Sequence, residues 1–376
     1  MIIKVNKKEF FCNLVYILFG INAMLQYFAF LPIRISNVFF VILGIISLTF
    51  IVLSFKGKML FRYFLFLLIY IAGGIISYIW NGNADLVEML WPVAFMGIGA
   101  LFVFFNVSFK ITNFMYFFFC ALCLGLIYLN GGVDNLTGNS SRNSISVYIL
   151  LFLSLNMIQA YKSACSLSIL YAVVAVITCL AAIGRSGIIT AVLLMVMFFL
   201  VDFEKGVSNF KNIKIMIGAS VIIAIAYIGI NYFFPEIIND AVVNFEWRGL
   251  ESKRTLIWLD YIKKVCSSIA NIVFGAEISG TRLLNFYSSN LHNSFLMLHA
   301  KYGIIGLSIV LISLIRAGVR MLKERNMYLF VPLVSIFFRM NFDYTNFNGI
   351  LDTVIIAFFM YAWYGDKFFI GAKVYD

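Results

Sequence analysis

The chain has 376 residues, of which 63% are hydrophobic and 12% charged, and its formal net charge is +11. Apolar runs of about 20 residues, the length that crosses a bilayer, recur from end to end. This excludes a soluble core, which would show charged helix faces and turn-rich loops, and a β-barrel, which would show short alternating segments.

The first run, residues 10–31, is too long for a cleaved signal and lacks a small-residue cleavage site, so it reads as the first membrane helix. Further spans are expected at 35–55, 60–80, 86–106, 111–130, 144–161, 166–183, 186–203, 212–233, 302–322, 327–341 and 349–371, which makes about twelve. The expected fold is therefore all-α, a single integral membrane domain over residues 1–376. Placing Lys4, Lys7 and Lys8 inside and alternating the spans puts the whole +11 excess on the inner side and leaves the outer segments balanced. The charge is then a topology signal rather than a nucleic-acid footprint, and both termini are expected inside. Cys12, Cys120, Cys123, Cys165, Cys179 and Cys266 fall mostly in apolar runs. The C-x-x-C of Cys120 and Cys123 reads as packing rather than a redox or metal site.

Two outer segments are substantial. Residues 130–143 (NGGVDNLTGNSSRN) have loop composition, and residues 234–301 form a large loop expected to contain amphipathic helices. Within it, residues 247–269 have a helical period. Trp247, Leu250, Trp258, Tyr261, Ile262, Val265 and Ile269 share one side, and Lys253, Asp260, Lys263 and Lys264 the other. Such a helix lies along the membrane surface or caps the bundle. Arg254 sits within the apolar stripe, where a guanidinium needs an anion, an ion pair with Glu251, or a route to headgroup phosphates. Arg185, in AAIGRSGIIT, stands between two spans with almost no loop between them. An ionisable residue there faces a cavity or a partner, or belongs to a simple turn built from Gly184, Ser186 and Gly187.

Residues 291–307 (LHNSFLMLHAKYGIIGL) hold both histidines of the chain. They are either a solvated helix entry or a site for proton transfer near neutral pH. Lys301 suggests that the span begins near Tyr302, which leaves His292 at the outer surface and gives His299 a packing or headgroup role. Arg185, Arg254 and His292 then share one face of the membrane. Guanidiniums suit phosphate oxygens, and a neutral imidazole can take the proton of an attacking hydroxyl. Together they suit group transfer away from a phosphate or pyrophosphate leaving group. Asn293, Arg142, Arg248, Arg282 and Asp343 are candidate substrate-binding residues. Asp343 and Asp352 flank the polar patch NFDYTNFNG, and either contact sugar hydroxyls or cap two helices. Asp85 and Glu88 read as a solvated loop, being too few for a metal site. Nucleotide, zinc and iron–sulfur signatures are missing from the sequence, so no metal or cofactor is expected.

The order of Arg185 in GRSG, Arg254 in KRTLIW, Phe274-Gly275 and then LHNSFLMLHAKYGIIG resembles the O-antigen polymerase and O-antigen ligase superfamily of bacterial envelopes. The resemblance covers roughly the second half of the chain and implies a glycosyltransferase of the C type. Its substrates would be glycans on undecaprenyl pyrophosphate at the periplasmic face of the inner membrane, with no metal required. It maps two functional arginines to Arg185 and Arg254 and the functional histidine to His292. Membrane lipids and a chain-length regulator protein are the further partners it implies, and nucleic acid is not one. The balanced outer charge favours a polymerase of the Wzy type over a ligase, which would pass finished glycan to the lipid A core. A lipid-linked sugar flippase or transporter should instead show mid-membrane charges and two related halves.

Overall fold

The computed structural model describes residues 6–54, 61–83, 85, 87–130, 143–204, 254–280, 282–286, 289–347 and 349–365. Among them the regular elements are all helices: α1 Lys7–Tyr27, α2 Ile33–Ser54, α3 Phe61–Asn81, α4 Leu90–Phe104, α5 Phe109–Leu129, α6 Ser144–Lys162, α7 Leu170–Ala181 and α8 Arg185–Glu204. After an interval outside the described residues come α9 Arg254–Val265, α10 Ile269–Phe274, α11 Arg282–Phe286, α12 Ser294–Lys323, α13 Met327–Met340 and α14 Asp352–Tyr364. Six of them (α1, α2, α3, α5, α6 and α12) are long and apolar enough to cross a membrane, and α4, α7, α13, α14 and part of α8 are shorter apolar helices. Eleven of the expected spans thus coincide with helices, and the span expected at 212–233 lies outside the described residues.

Their arrangement inverts that of a soluble protein. α6 is buried along almost its whole length and α14 along most of its length, whereas α2 and α3 turn large apolar side chains such as Ile45, Leu53, Leu68 and Ile79 outward. A central helix buried on all sides and peripheral helices with an apolar outer face are what a hydrocarbon solvent selects. α4 packs between α2 and α14, and α12 packs along α3. Cys120 and Cys123 are buried free thiols in the main core. At one end of the bundle, Lys162 turns back to donate to the carbonyls of Phe102 and Val103 at 3.1 and 2.9 Å, satisfying acceptors that the end of α4 leaves open.

The element that positions everything at the opposite end is α12. It begins at Ser294, eight residues before the span expected from the sequence, and it is broken at Gly303, where φ is +65° and ψ −172°. A break in a helix frees carbonyls that hydrocarbon cannot satisfy. Here three side chains of α3 and the turn after it meet them. Ser77 Oγ, Asn81 Nδ2 and Asn83 Nδ2 all donate to the Ala300 carbonyl, at 3.1, 3.2 and 2.9 Å. The same two asparagines also hold α10 and the strand-like stretch after it, since Asn81 donates to Gly275 O at 2.9 Å and Asn83 to Ala276 O at 2.7 Å, while Asn83 Oδ1 accepts from Ile278 N at 3.0 Å. Gly275 (φ +88°) lets that stretch approach the break. A Cβ there would lie 2.5 Å from the His299 carbonyl and 2.7 Å from that of Ala300.

The single amphipathic helix expected over 247–269 divides into two, and its first residues lie outside the described residues. α9 ends at Val265, and Ser268 opens α10 by accepting from Asn271 N at 3.1 Å. Ile257 and Tyr261 form its buried face, with Trp258 and Val265 partly buried beside them. Ile262, expected on that face, is 43% exposed, and Ile269, now on α10, is 80% exposed.

Because Gly275 combines a left-handed φ with backbone contact, Gly275→Ala should destabilise the solubilised protein by on the order of 2 kcal/mol or more. Thermal unfolding checks this against Gly125→Ala, an exposed α5 position where a Cβ meets nothing within 4 Å. The control should change little or gain slightly.

Candidate functional site

Three segments converge at the end of the bundle beyond the Gly303 break: the turn leading into α12, the loop after α13, and the first turns of α9. His292 lies in the turn, with φ +48°, a left-handed conformation that costs a residue with a Cβ on the order of 1 kcal/mol. Its amide donates to Asn290 Oδ1 at 2.8 Å, which fixes that turn. Asn293 follows in extended conformation as the N-cap of α12. Its Oδ1 accepts from Phe295 N and Leu296 N at 2.9 and 3.0 Å, and its Nδ2 donates to Asn341 O at 3.1 Å. Ser294 Oγ donates to Asp343 O at 2.8 Å and accepts from Thr345 N at 3.0 Å. The tripeptide His-Asn-Ser is thus bound along its length to residues 341–345.

The R-x-x-x-W spacing acquires a physical meaning from the helix. Residues four apart share a face, and Arg254 and Trp258 each donate to one of the two converging loops. Arg254 Nη1 bonds the Phe342 carbonyl, and Trp258 Nε1 bonds the Leu291 carbonyl at 2.7 Å. α9 therefore clips the segment carrying Asp343 to the segment carrying His292. In the structure the Arg254 guanidinium meets a backbone carbonyl, and Glu251 lies outside the described residues.

Asp343 stands at the centre. Its Oδ1 lies 3.4 Å from His292 Nδ1 and its Oδ2 lies 3.2 Å from Arg339 Nη2. Since a carboxylate can only accept, His292 carries its proton on Nδ1 in this contact, and Nε2 is the basic nitrogen of the neutral ring. Burial opposes ionisation of Asp343. The hydrogen bond with His292 and the charges of Arg339 and Arg254 outweigh it and hold the carboxyl well below the usual carboxylate range.

Arg339 is the residue that sequence reasoning missed. It sits in the last turn of α13 with its side chain wholly buried. Nε donates to Ser146 Oγ and Nη2 to Asn143 O, both at 3.2 Å, in addition to the Asp343 contact. Nη1 meets no acceptor among the described residues. The available signal was a cation inside an otherwise apolar span with an aspartate four residues on.

Arg185 begins α8, half-buried. Two residues on, Gly187 lies against Ser146, the acceptor of Arg339 Nε, so Arg185 enters from the same end of the bundle as His292 and Arg254. The turn before it uses Ile183, at φ +53°, as its left-handed residue rather than a glycine. Of the remaining candidates, Arg142 and Arg248 lie outside the described residues, and Arg282 opens α11 with its side chain outside them.

Other expectations resolve into structural roles. Tyr261 OH and His299 Nδ1 are 2.7 Å apart, and His299 Nε2 lies 2.9 Å from the Ile272 carbonyl. Nε2 must donate to that carbonyl, so Nδ1 accepts from the tyrosine, and the neutral ring ties α9 and α10 to α12. Lys301 does not mark a solvated membrane edge. It is buried, pairs with Glu88 and lies 5.4 Å from the Tyr344 ring centroid. Glu88 is accordingly a partner of α12 rather than part of a solvated loop, whereas Asp85 is exposed and caps its own turn through Val87 N at 2.8 Å. Asp352 is buried and accepts from Phe347 N at 2.6 Å and Gly349 N at 3.2 Å, which shapes the loop before α14. Among the described residues no group of three His, Cys, Asp or Glu side chains is gathered as metal ligands would be.

No family model, curated protein or solved structure matches the chain.

The depressed Asp343 carboxyl makes the stability of this end pH-dependent with a defined sign. A group whose folded pKa lies below its unfolded value of about 3.9 contributes stability that is fully present above that value and is lost as pH falls below it. The difference in melting temperature between wild type and Asp343→Asn should shrink as pH falls below about 4, where the Asp343 contribution is lost. Paired thermal unfolding on either side of that pH measures it.

Proposed function

We propose that the chain is a surface-polysaccharide polymerase of the O-antigen type. It would lie in the bacterial inner membrane with about twelve spans and both termini in the cytoplasm, its site facing the periplasm. The observation that carries the reading is the His292–Asp343 pair flanked by Arg254 and Arg339, at the end of the bundle that Arg185 also enters.

In this reading the donor is a glycan on undecaprenyl pyrophosphate and the acceptor is a sugar hydroxyl of a new lipid-linked repeat unit. The hydroxyl oxygen bonds to the anomeric carbon of the donor while the bond from that carbon to the pyrophosphate oxygen breaks. The electron pair leaves with undecaprenyl pyrophosphate, and the hydroxyl proton passes to His292 Nε2. Asp343 holds the imidazole in the required tautomer and stabilises the imidazolium that forms. Arg254 and Arg185 meet the negative charge growing on the leaving pyrophosphate. The apolar outer faces of the helices suit a substrate whose lipid tail stays in the bilayer.

In a host whose surface polysaccharide forms a ladder, His292→Ala should lower polymerisation by about 10²-fold or more, leaving core that carries a single repeat. Arg254→Ala should do the same. A normal ladder from variants present at wild-type level overturns the assignment. Accumulation of full-length polymer on the undecaprenyl carrier would mark a ligase instead.

A further inference from the structure

We propose that Arg339 is a positioning residue for the acid–histidine pair: it divides the Asp343 carboxylate so that one oxygen is held by α13 and the other is presented to His292. The inference rests on the reading of His292 as the proton acceptor given above, but its geometry stands apart from that reading.

Arg339 is four residues before Asp343, yet α13 ends at Met340, so the aspartate sits in the turn after the helix rather than on its face. A guanidinium and a carboxylate left to themselves pair through two parallel bonds. Here a single bond joins Arg339 Nη2 to Oδ2, and Oδ1 is turned to His292 Nδ1 and to Tyr344 N, at 3.4 and 3.1 Å. The remaining bonds of Arg339 run to the start of α6, at Asn143 O and Ser146 Oγ. The guanidinium is thereby fixed against α6, a helix buried along almost its whole length, and it passes that rigidity to a loop residue. With its side chain wholly buried, Arg339 cannot itself meet a substrate. Among the described residues, the charged groups around Asp343 come from three elements: His292 before α12, Arg339 on α13 and Arg254 on α9.

The chain has only two histidines, so nitrogen NMR of the full-length protein, labelled with 15N-histidine in lipid nanodiscs, reads the His292 ring directly once His299→Gln identifies the other signal. Wild type should show His292 with its proton on Nδ1. Arg339→Gln should release it to the tautomer mixture of an unanchored imidazole, and Arg339→Lys, which keeps a cation beside Oδ2, should retain the wild-type form. In an Asp343→Asn background Arg339→Gln should add no further change. The ladder should follow, falling about 10²-fold for Arg339→Gln, as expected when a reacting group is displaced by roughly an ångström, with partial recovery for lysine.

Unchanged His292 signals in Arg339→Gln overturn the proposal, as does an added shift in the double variant. If Arg339→Gln yields no folded protein, Arg339→Lys decides, and loss of the Nδ1-protonated form with lysine in place overturns it. A tautomer change alongside a normal ladder for His292→Ala would leave the positioning role standing and remove the polymerase reading, so the two can fail separately.

Discussion

The arrangement of this end of the molecule depends on one carbonyl oxygen. Breaking α12 at Gly303 leaves the Ala300 carbonyl without its helical partner in a region shielded from water, where an unmet acceptor costs several kcal/mol. Ser77, Asn81 and Asn83 converge on it. The two asparagines simultaneously hold residues 274–278, so satisfying the break also docks α10 onto it. Once residues 294–302 are redirected in this way, their N-terminal end, with His292, Asn293 and Ser294, is delivered to the loop after α13. A continuous helix from Ser294 to Lys323 could not present the same end to the same loop.

Fixing that end requires more than the break, because loops at the rim of a bundle have few apolar contacts to order them. The structure compensates with hydrogen bonds between backbone and side chain. Asn293 and Ser294 reach forward to residues 341–345, Trp258 and Arg254 reach across from α9, and the neutral His299 ring ties α9 and α10 together below them. Nearly every polar side chain of the LHNS segment is thereby engaged in building the site. This argues that its left-handed His292 is held by its surroundings and is not a relaxed turn residue.

Much of this was legible because membrane helices declare themselves by length and apolarity, and because a four-residue spacing puts two side chains on one helix face whatever lies beyond it. Arg254 and Trp258 stood out on the apolar stripe of a helical period, His292 and Asn293 as polar residues at a helix entry, and Asp343 beside a polar patch. What stayed hidden depended on partners distant in sequence. Arg339 lies in a run that hydropathy reads simply as a span, and its reason for being there is Ser146 and Asn143, nearly two hundred residues earlier. Lys301 looked like a solvated edge because its partner Glu88 is on another segment altogether. The division of the 247–269 helix was signalled only by Ser268, a single cap residue against a continuous helical period.

The charge balance of the cluster gives these contacts a direction. Among the described residues, two guanidiniums and an imidazole stand around Asp343, and Asp343 is the acid that lowers the cost of burying Arg339. An ion pair evolved for stability alone would match cations with acids, and would gain little even then, since desolvation offsets most of the attraction. Among the described residues the cations of this cluster outnumber the acids, and bonds to the Phe342 and Asn143 carbonyls and the Ser146 hydroxyl hold them in place without reorganisation. Those three acceptors orient the two guanidiniums without neutralising them, while Asp343 pairs with Arg339. In the proposed reaction, a pyrophosphate leaving group is the anion that such an arrangement would meet.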